Sequence, residues 1–295
     1  SLSCALLALG VKPGDEVICP ALTMAATATS IQMIGAIPVF CDLDGLTLDP
    51  LDVQAKLTPR TKAVVFVSLN NHYHTIEPIV QLCQQYNLSL LEDAAQSLGC
   101  WYKDKHIGTF GSIGSFSFST PKIISMGQGG ALITDDPEMD KKIRLLKNFG
   151  RPSSGNSDSY LTFGVNFKIT DLQAVIGIEQ MKKLPQRIER MKHIHARYYE
   201  QLHPWMLPKP YPDYIPWFVC IYVDNRQNLA NVLRDKGIGT RDFYPVLPSE
   251  PAFQSTEWFP KAQMHSSRGL WLPSFLTLTD DQIDFICHTI KNELT

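Results

Sequence analysis

The sequence predicts an α/β protein: a mostly parallel mixed sheet between helices, followed by a smaller C-terminal α+β unit. Three observations carry this. Over the first 140 residues, short apolar runs rich in β-branched and aromatic residues alternate with stretches of helical periodicity. The 295 residues reach the length, roughly 250–300, at which one hydrophobic core stops growing. Five prolines, Pro204, Pro208, Pro210, Pro212 and Pro216, then mark a change in composition. We therefore expect a large domain over residues 1–190 and a small one over residues 191–295.

Taken in order, strands are expected at residues 16–19, 37–40, 63–68 and 88–91, with helices near 24–35, 50–57 and 76–86. Such alternation means βαβ units, a sheet buried on both faces and ligands at the strand C-termini. Strands at 113–118 and 131–134 bracket a loop of small residues, and the Ser/Gly/Asn-rich residues 151–160 read as a long surface loop. Leu172, Val175, Ile176, Ile178, Met181, Leu184, Ile188 and Met191 recur at helical spacing, predicting one long helix over 170–197, bent near Pro185. Beyond the prolines come a strand at 217–223, a helix at 227–236 and a last helix. A capping box, Thr279-Asp280-Asp281-Gln282, opens that helix, with Ile283, Ile286 and Ile290 on one face.

Composition narrows the function. Lysine and arginine number 27 against 29 acids, a net charge of −2 without any basic block. The electrostatic footprint of a nucleic-acid binder is therefore missing. Residues 17–41 are uncharged and long enough to span a bilayer, but Pro20, Thr23, Thr27, Gly35 and Pro38 interrupt them, so no membrane partner is expected. The opening Ser1-Leu2-Ser3-Cys4 carries no positive region ahead of an apolar core, and no signal peptide is read there. Seven cysteines without a C-x-x-C read as core fillers in a reducing cytoplasm. The eight histidines lack the spacing of a zinc site, and His193 and His195 face different sides of their helix.

Two features bear chemistry. The strand at 88–91 runs into Glu92-Asp93-Ala94-Ala95-Gln96, which sets carboxylates at the crevice unless one of them caps a following helix. Lys122 stands alone in an otherwise uncharged run from Gly111 to Thr134. A lysine in such surroundings snorkels, pairs or gives up its proton, and a neutral amine is what covalent carbonyl chemistry requires. No G-x-x-x-x-G-K-[ST], no G-x-G-x-x-G after a strand and no G-x-S-x-G is present. What remains is an amine and an acid converging on a crevice.

In these residues the chain resembles the DegT/DnrJ/StrS group of pyridoxal-phosphate (PLP) nucleotide-sugar aminotransferases, which have the fold type I of the aspartate aminotransferase superfamily. The resemblance runs along essentially the whole chain. It includes Gly14-Asp15-Glu16-Val17, Pro20-Ala21-Leu22-Thr23, Glu92-Asp93-Ala94-Ala95-Gln96, Ser115-Phe116-Ser117-Phe118, Lys122, Gly127-Gln128-Gly129-Gly130 and Gly164-Val165-Asn166-Phe167-Lys168.

The resemblance implies roles. Lys122 would join the cofactor covalently and move the proton between substrate carbon and cofactor. Asp93 would keep the pyridine nitrogen protonated, Gln96 would bond the phenolic oxygen, and Ser117 would bind the phosphate. Asn166 would reach the phosphate of a neighbouring subunit, implying a homodimer with shared sites. Met24 stands where the family usually has an aromatic stacked on the ring. Gln128 replaces the family's usual acid, and Ser1-Leu2 aligns inside the helix that the family opens with a phosphate-binding Gly-Thr. His72 and His74 follow a strand and are candidates to touch substrate, as is Arg241 for an anion. The implied reaction transfers the amino group of glutamate to a nucleotide-linked keto-6-deoxy sugar, at carbon 4 in our reading. The alternatives are a PLP-dependent sugar dehydratase, in which the family replaces the lysine by histidine, and a non-catalytic binding or regulatory protein of the same fold.

Overall fold

The computed structural model describes residues 1–152 and 159–294. Its central sheet is built from β1 (Glu16–Pro20), β2 (Ile37–Cys41), β3 (Thr61–Val67), β4 (Ser89–Asp93), β5 (Ile113–Ser117) and β6 (Gly130–Ile133). They lie in the order β6-β5-β4-β3-β1-β2, all neighbours parallel except β6 against β5. Register aligns Val67 with Asp93 and Asp93 with Ser115. The C-terminal ends of three adjacent strands thus form one ledge. This is the expected architecture, a mostly parallel sheet closed by one antiparallel edge strand.

Strand alternation sorts the core into two layers. Val17, Cys19, Ala63, Val65, Val67 and Leu91 face one side, where α1 (Leu2–Ala8), α2 (Ala26–Met33) and α5 (Pro137–Leu146) pack. Ile18, Val64, Phe66 and Leu90 face the other, covered by α3 (Pro50–Ala55) and α4 (Ile76–Gln85). On α4, Ile76, Ile79 and Cys83 are the buried residues, the i, i+3, i+7 stripe of a helix with one wet face.

The long helix expected over 170–197 is instead two, α6 (Asp171–Met181) and α7 (Leu184–Leu202). Pro185 sits in the first turn of α7, where its missing N–H is no loss, so it starts a helix rather than bending one. A capping box of Thr170 and Gln173 opens α6. Of the expected loop at 151–160, residues 153–158 lie outside the described residues.

Leu202, Val219, Leu233, Ile283, Cys287 and Ile290 share a further core, joining α7, α8 (Arg226–Asp235) and α10 (Asp280–Leu294) against a small antiparallel sheet. That sheet has the order β7 (Cys220–Tyr222), β9 (Gly269–Trp271), β8 (Arg241–Asp242), with α9 (Pro260–Arg268) preceding β9. The strand expected at 217–223 is shorter because side chains take its first amides: Phe218 N–H donates to Asn70 and Val219 N–H to Ser274. The expected capping box does open α10, with Thr279 and Gln282 bonded reciprocally. No helix among the described residues is long and apolar enough to cross a membrane.

Candidate active site

The adjacent acids Glu92 and Asp93 point to opposite faces of β4 and meet different fates. Glu92 accepts the backbone N–H groups of Gly108, Phe110 and Gly111 at 2.7, 2.5 and 2.6 Å, knotting that loop to the sheet. Asp93 ends the strand in a buried position, where Oδ2 accepts from Thr27 Oγ1 at 3.0 Å and Oδ1 from Ala95 N–H at 3.2 Å. No helix follows β4; residues 94–99 form turns, so neither acid is a helix cap. Burial pushes the Asp93 carboxyl up from its ordinary range, against the Thr27 bond and the Lys122 charge.

Lys122 lies on the turn after β5, its Nζ 4.3 Å from the centre of the Trp217 ring. Burial pulls its amine below the usual lysine range while Asp93 pulls the other way. It opens into a cavity of about 570 Å³ whose walls include Gln96, Trp217, Phe218, Arg241 and Trp271. Apolar walls around a few convergent polar groups make an organic-ligand site. Gln96 is buried with Oε1 accepting from Asn70 N–H at 2.6 Å. Arg241 faces the same space, its guanidinium 5.4 Å from the Trp271 ring and 5.8 Å from the Tyr244 ring.

The remaining expected residues are scattered around this centre. Ser117 closes β5 half-buried, with its hydroxyl 3.2 Å from that of Ser119. Met24 precedes α2, about half exposed, its sulfur accepting from Ala26 N–H at 3.2 Å, on the loop that delivers Thr27 to Asp93. Asn166 is exposed and bridged to Asn148, outside the cavity. Neither His72 nor His74 reaches the cavity. His72 is buried edge-on to Tyr214, its imidazole pushed down to about 3 by burial. His74 turns to Asp44 at 3.7 Å, on the hairpin of Leu43–Asp44 and Thr47–Leu48. Sequence reasoning missed Thr27, Trp217 and Trp271: each sits in an apolar stretch that reads as core, and only tertiary placement gives it a partner.

The family model described as the DegT/DnrJ/EryC1/StrS aminotransferase family matches residues 1–291. The chain belongs to that family. Among curated relatives it is 35% identical over 300 residues to GDP-perosamine synthase of Escherichia coli O157:H7, covering 99% of this chain and 82% of that protein. Among solved structures, the aminotransferase TlmJ from Streptoalloteichus hindustanus superposes with a TM-score of 0.94 at 30% identity, over 99% of this chain and 83% of that one. Spr1654 from Streptococcus pneumoniae, described as a sugar aminotransferase and solved in a PLP form, gives a TM-score of 0.91 at 25% identity, over 99% and 83% of the two chains.

Asp93 tests whether the residues of this aminotransferase suit such a cofactor. The residue is 7% exposed, and no lysine, arginine or histidine among the described residues forms an ion pair with it. A buried acid held by two neutral hydrogen bonds, with the Lys122 charge acting on it from outside ion-pair distance, is short of compensating charge. A protonated ring nitrogen supplies that charge, and a desolvated amine stands on the same ledge. The donor set fits.

Proposed function

We propose that this aminotransferase uses PLP to move the amino group of glutamate onto carbon 4 of a nucleotide-linked keto-6-deoxy sugar. The observation that carries the reading is the pairing of Lys122, a lysine whose amine is drawn toward neutrality by burial, with Asp93, a buried acid that no cation contacts as an ion pair among the described residues. When bound, the cofactor supplies an electron sink for the charge left on carbon as a proton departs.

The chain's own residues then divide the work. Lys122 Nζ would hold the cofactor covalently and, as a free base, would carry the proton from the donor's α-carbon to the cofactor. In the second half it would carry a proton from the cofactor back to the sugar carbon. Asp93 keeps the ring nitrogen protonated by charge, and Thr27 fixes that carboxylate through its 3.0 Å bond. Gln96 donates to the phenolic oxygen, Ser117 to the phosphate, and Met24 packs its thioether on the ring. Arg241 meets an anionic group of the substrate from the opposite wall. His72 and His74 have no part in this assignment.

We further propose a homodimer with shared sites, in which Asn166 reaches the partner's phosphate. Supporting it, Leu172, Val175, Ile176 and Ile178 of α6 and Phe163, Phe167 and Ile169 beside Asn166 are exposed in one continuous stretch of chain. Apolar surface of that extent belongs to an interface. Residues 1–190 and 191–295 serve as large and small domains, with the cavity between them. Seven free, buried thiols suit a reducing cytoplasm.

Titration with PLP followed by glutamate tests the chemistry: an absorbance band should appear and then be lost. Mass spectrometry of a panel of nucleotide-linked keto sugars, with NMR of the aminated product, reads the acceptor and the carbon. No band, or a band insensitive to glutamate, would refute transamination.

A further inference from the structure

Asn70 and Asn71, just after β3, both adopt left-handed backbone, with φ of 49° and 59°. Asparagine tolerates this region better than most residues, but two in succession, both buried, must be held by their surroundings. Three polar groups of Asn70 are held by other segments, two of them through residues that line the Lys122 cavity, Gln96 and Phe218. Its N–H donates to Gln96 Oε1 at 2.6 Å. Its carbonyl accepts from Tyr214 Oη at 2.8 Å. Its side-chain Oδ1 accepts from Phe218 N–H at 3.0 Å, next to the Trp217 ring that lies under the Lys122 amine. Asn71 repeats the pattern: Nδ2 donates to the Ile215 carbonyl at 2.6 Å, and Oδ1 accepts from Ser97 Oγ at 2.7 Å.

These bonds fix orientation as well as place. A backbone N–H can only donate, so the Gln96 end that meets Asn70 is the oxygen, and the NH₂ end remains for the cavity. A donor there selects an acceptor oxygen in the ligand, an ionised phenolic oxygen rather than a phenol hydroxyl. We propose that Asn70 is the positioning residue that aims the Gln96 NH₂ at the bound cofactor and seats Trp217 against the Lys122 amine, joining the β3 end to residues 214–218. This rests on the PLP reading above. Asn70 acts through Gln96 and Trp217 and touches no reacting atom.

The test is a double-variant cycle read by PLP affinity and by the pH midpoint of the bound cofactor's absorbance. Asn70→Gly keeps a left-handed backbone without strain while losing Oδ1, and Tyr214→Phe removes only the hydroxyl that holds the Asn70 carbonyl. Each should weaken PLP by about three- to tenfold, the worth of one net hydrogen bond, and Tyr214→Phe, which frees the Asn70 backbone that aims Gln96, should also raise the pH midpoint, because the donor that favours the ionised oxygen is no longer aimed. In a Gln96→Ala background Tyr214→Phe should not move the midpoint further, whereas Asn70→Gly, which keeps the N–H to Gln96 and loses the Oδ1 that seats Trp217, should weaken PLP in either background. A role confined to stability would shift the melting temperature and leave the midpoint alone. A Tyr214→Phe midpoint shift that adds to that of Gln96→Ala, or no shift at all, while the unmodified chain binds PLP, would overturn this proposal by itself. An unmodified chain that takes up no PLP would refute the cofactor reading and the proposal with it.

Discussion

Glu92→Gln should cost the protein several degrees of thermal stability and leave its chemistry intact, whereas Asp93→Asn, one residue on, should do the reverse. Glu92 accepts three backbone N–H groups across its two oxygens, Phe110 and Gly111 on Oε1 and Gly108 on Oε2. A glutamine that keeps its oxygen for the first two turns its NH₂ against Gly108 N–H. That leaves one buried donor unsatisfied, costing about 1–3 kcal/mol, and reduces two charge-assisted bonds to neutral ones, about 1 kcal/mol each. Burial raises the Glu92 carboxyl, so removing its charge recovers part of this, for a net loss of about 2–4 kcal/mol. At about 2.1 cal/mol/K per residue, the unfolding entropy of 295 residues is about 0.6 kcal/mol/K, so Tm should fall by about 3–6 °C. Asp93→Asn keeps its oxygen for Ala95 N–H and donates its NH₂ to Thr27, whose hydroxyl reverses. Tm should hold or rise slightly, while a neutral amide cannot keep the ring nitrogen protonated and kcat falls by orders of magnitude. Scanning calorimetry and steady-state kinetics on both variants decide it. An early-melting Asp93→Asn with near-normal turnover, beside a stable and inactive Glu92→Gln, would show the two roles exchanged.

Three further outcomes are expected. Leu172→Glu, at a residue 80% exposed on α6, should yield monomers in sedimentation velocity and weaken PLP at least tenfold; an unchanged dimer would remove α6 from the interface. Arg241→Gln should raise KM for the nucleotide sugar by about 10–100-fold with kcat little changed, the loss of one charged contact; a fall in kcat alone would place it with the chemistry. Burial pushes His72 down to about 3 and His195 and His265 to about 4, so all three stay neutral in the fold while the unfolded chain protonates them below about 6.5. Their folded pKa values are depressed, so stability is lost as pH falls, about 1.4 kcal/mol each at pH 5.5, with the raised carboxyls of Glu92 and Asp93 opposing at the acid end. Thermal melts should therefore drop by several degrees between pH 7 and 5.5; a flat profile would refute neutral burial of the three.

The sheet was readable because parallel strands buried on both faces leave continuous apolar runs, and each of the six expected strands is present within a few residues. The break between α6 and α7 was not, since the apolar period carries straight through Lys182 and Lys183 and only the first-turn Pro185 marks where the second helix starts. Asp93 and Lys122 stood out as charges in apolar context, a signal any buried ionisable group leaves. Thr27 and Trp217 left none, and Asn70 showed only as part of a segment following a strand. Their partners lie 66, 148 and 95 positions away, at Asp93, Phe218 and Lys122, so only the folded topology brings them together. His72 misled for the opposite reason: following a strand's C-terminus predicts the crevice, but the left-handed turn at Asn70 and Asn71 swings the imidazole behind it.

The central claim, that Lys122 is the amine on which the chemistry turns, is tested most directly by reducing the PLP-loaded chain with borohydride and mapping the peptides. Stoichiometric label on Lys122, absent from a Lys122→Ala variant that melts like the parent, is the result expected from its burial over Trp217 beside Asp93. Label on any other lysine, or a loaded chain that takes none, would contradict it.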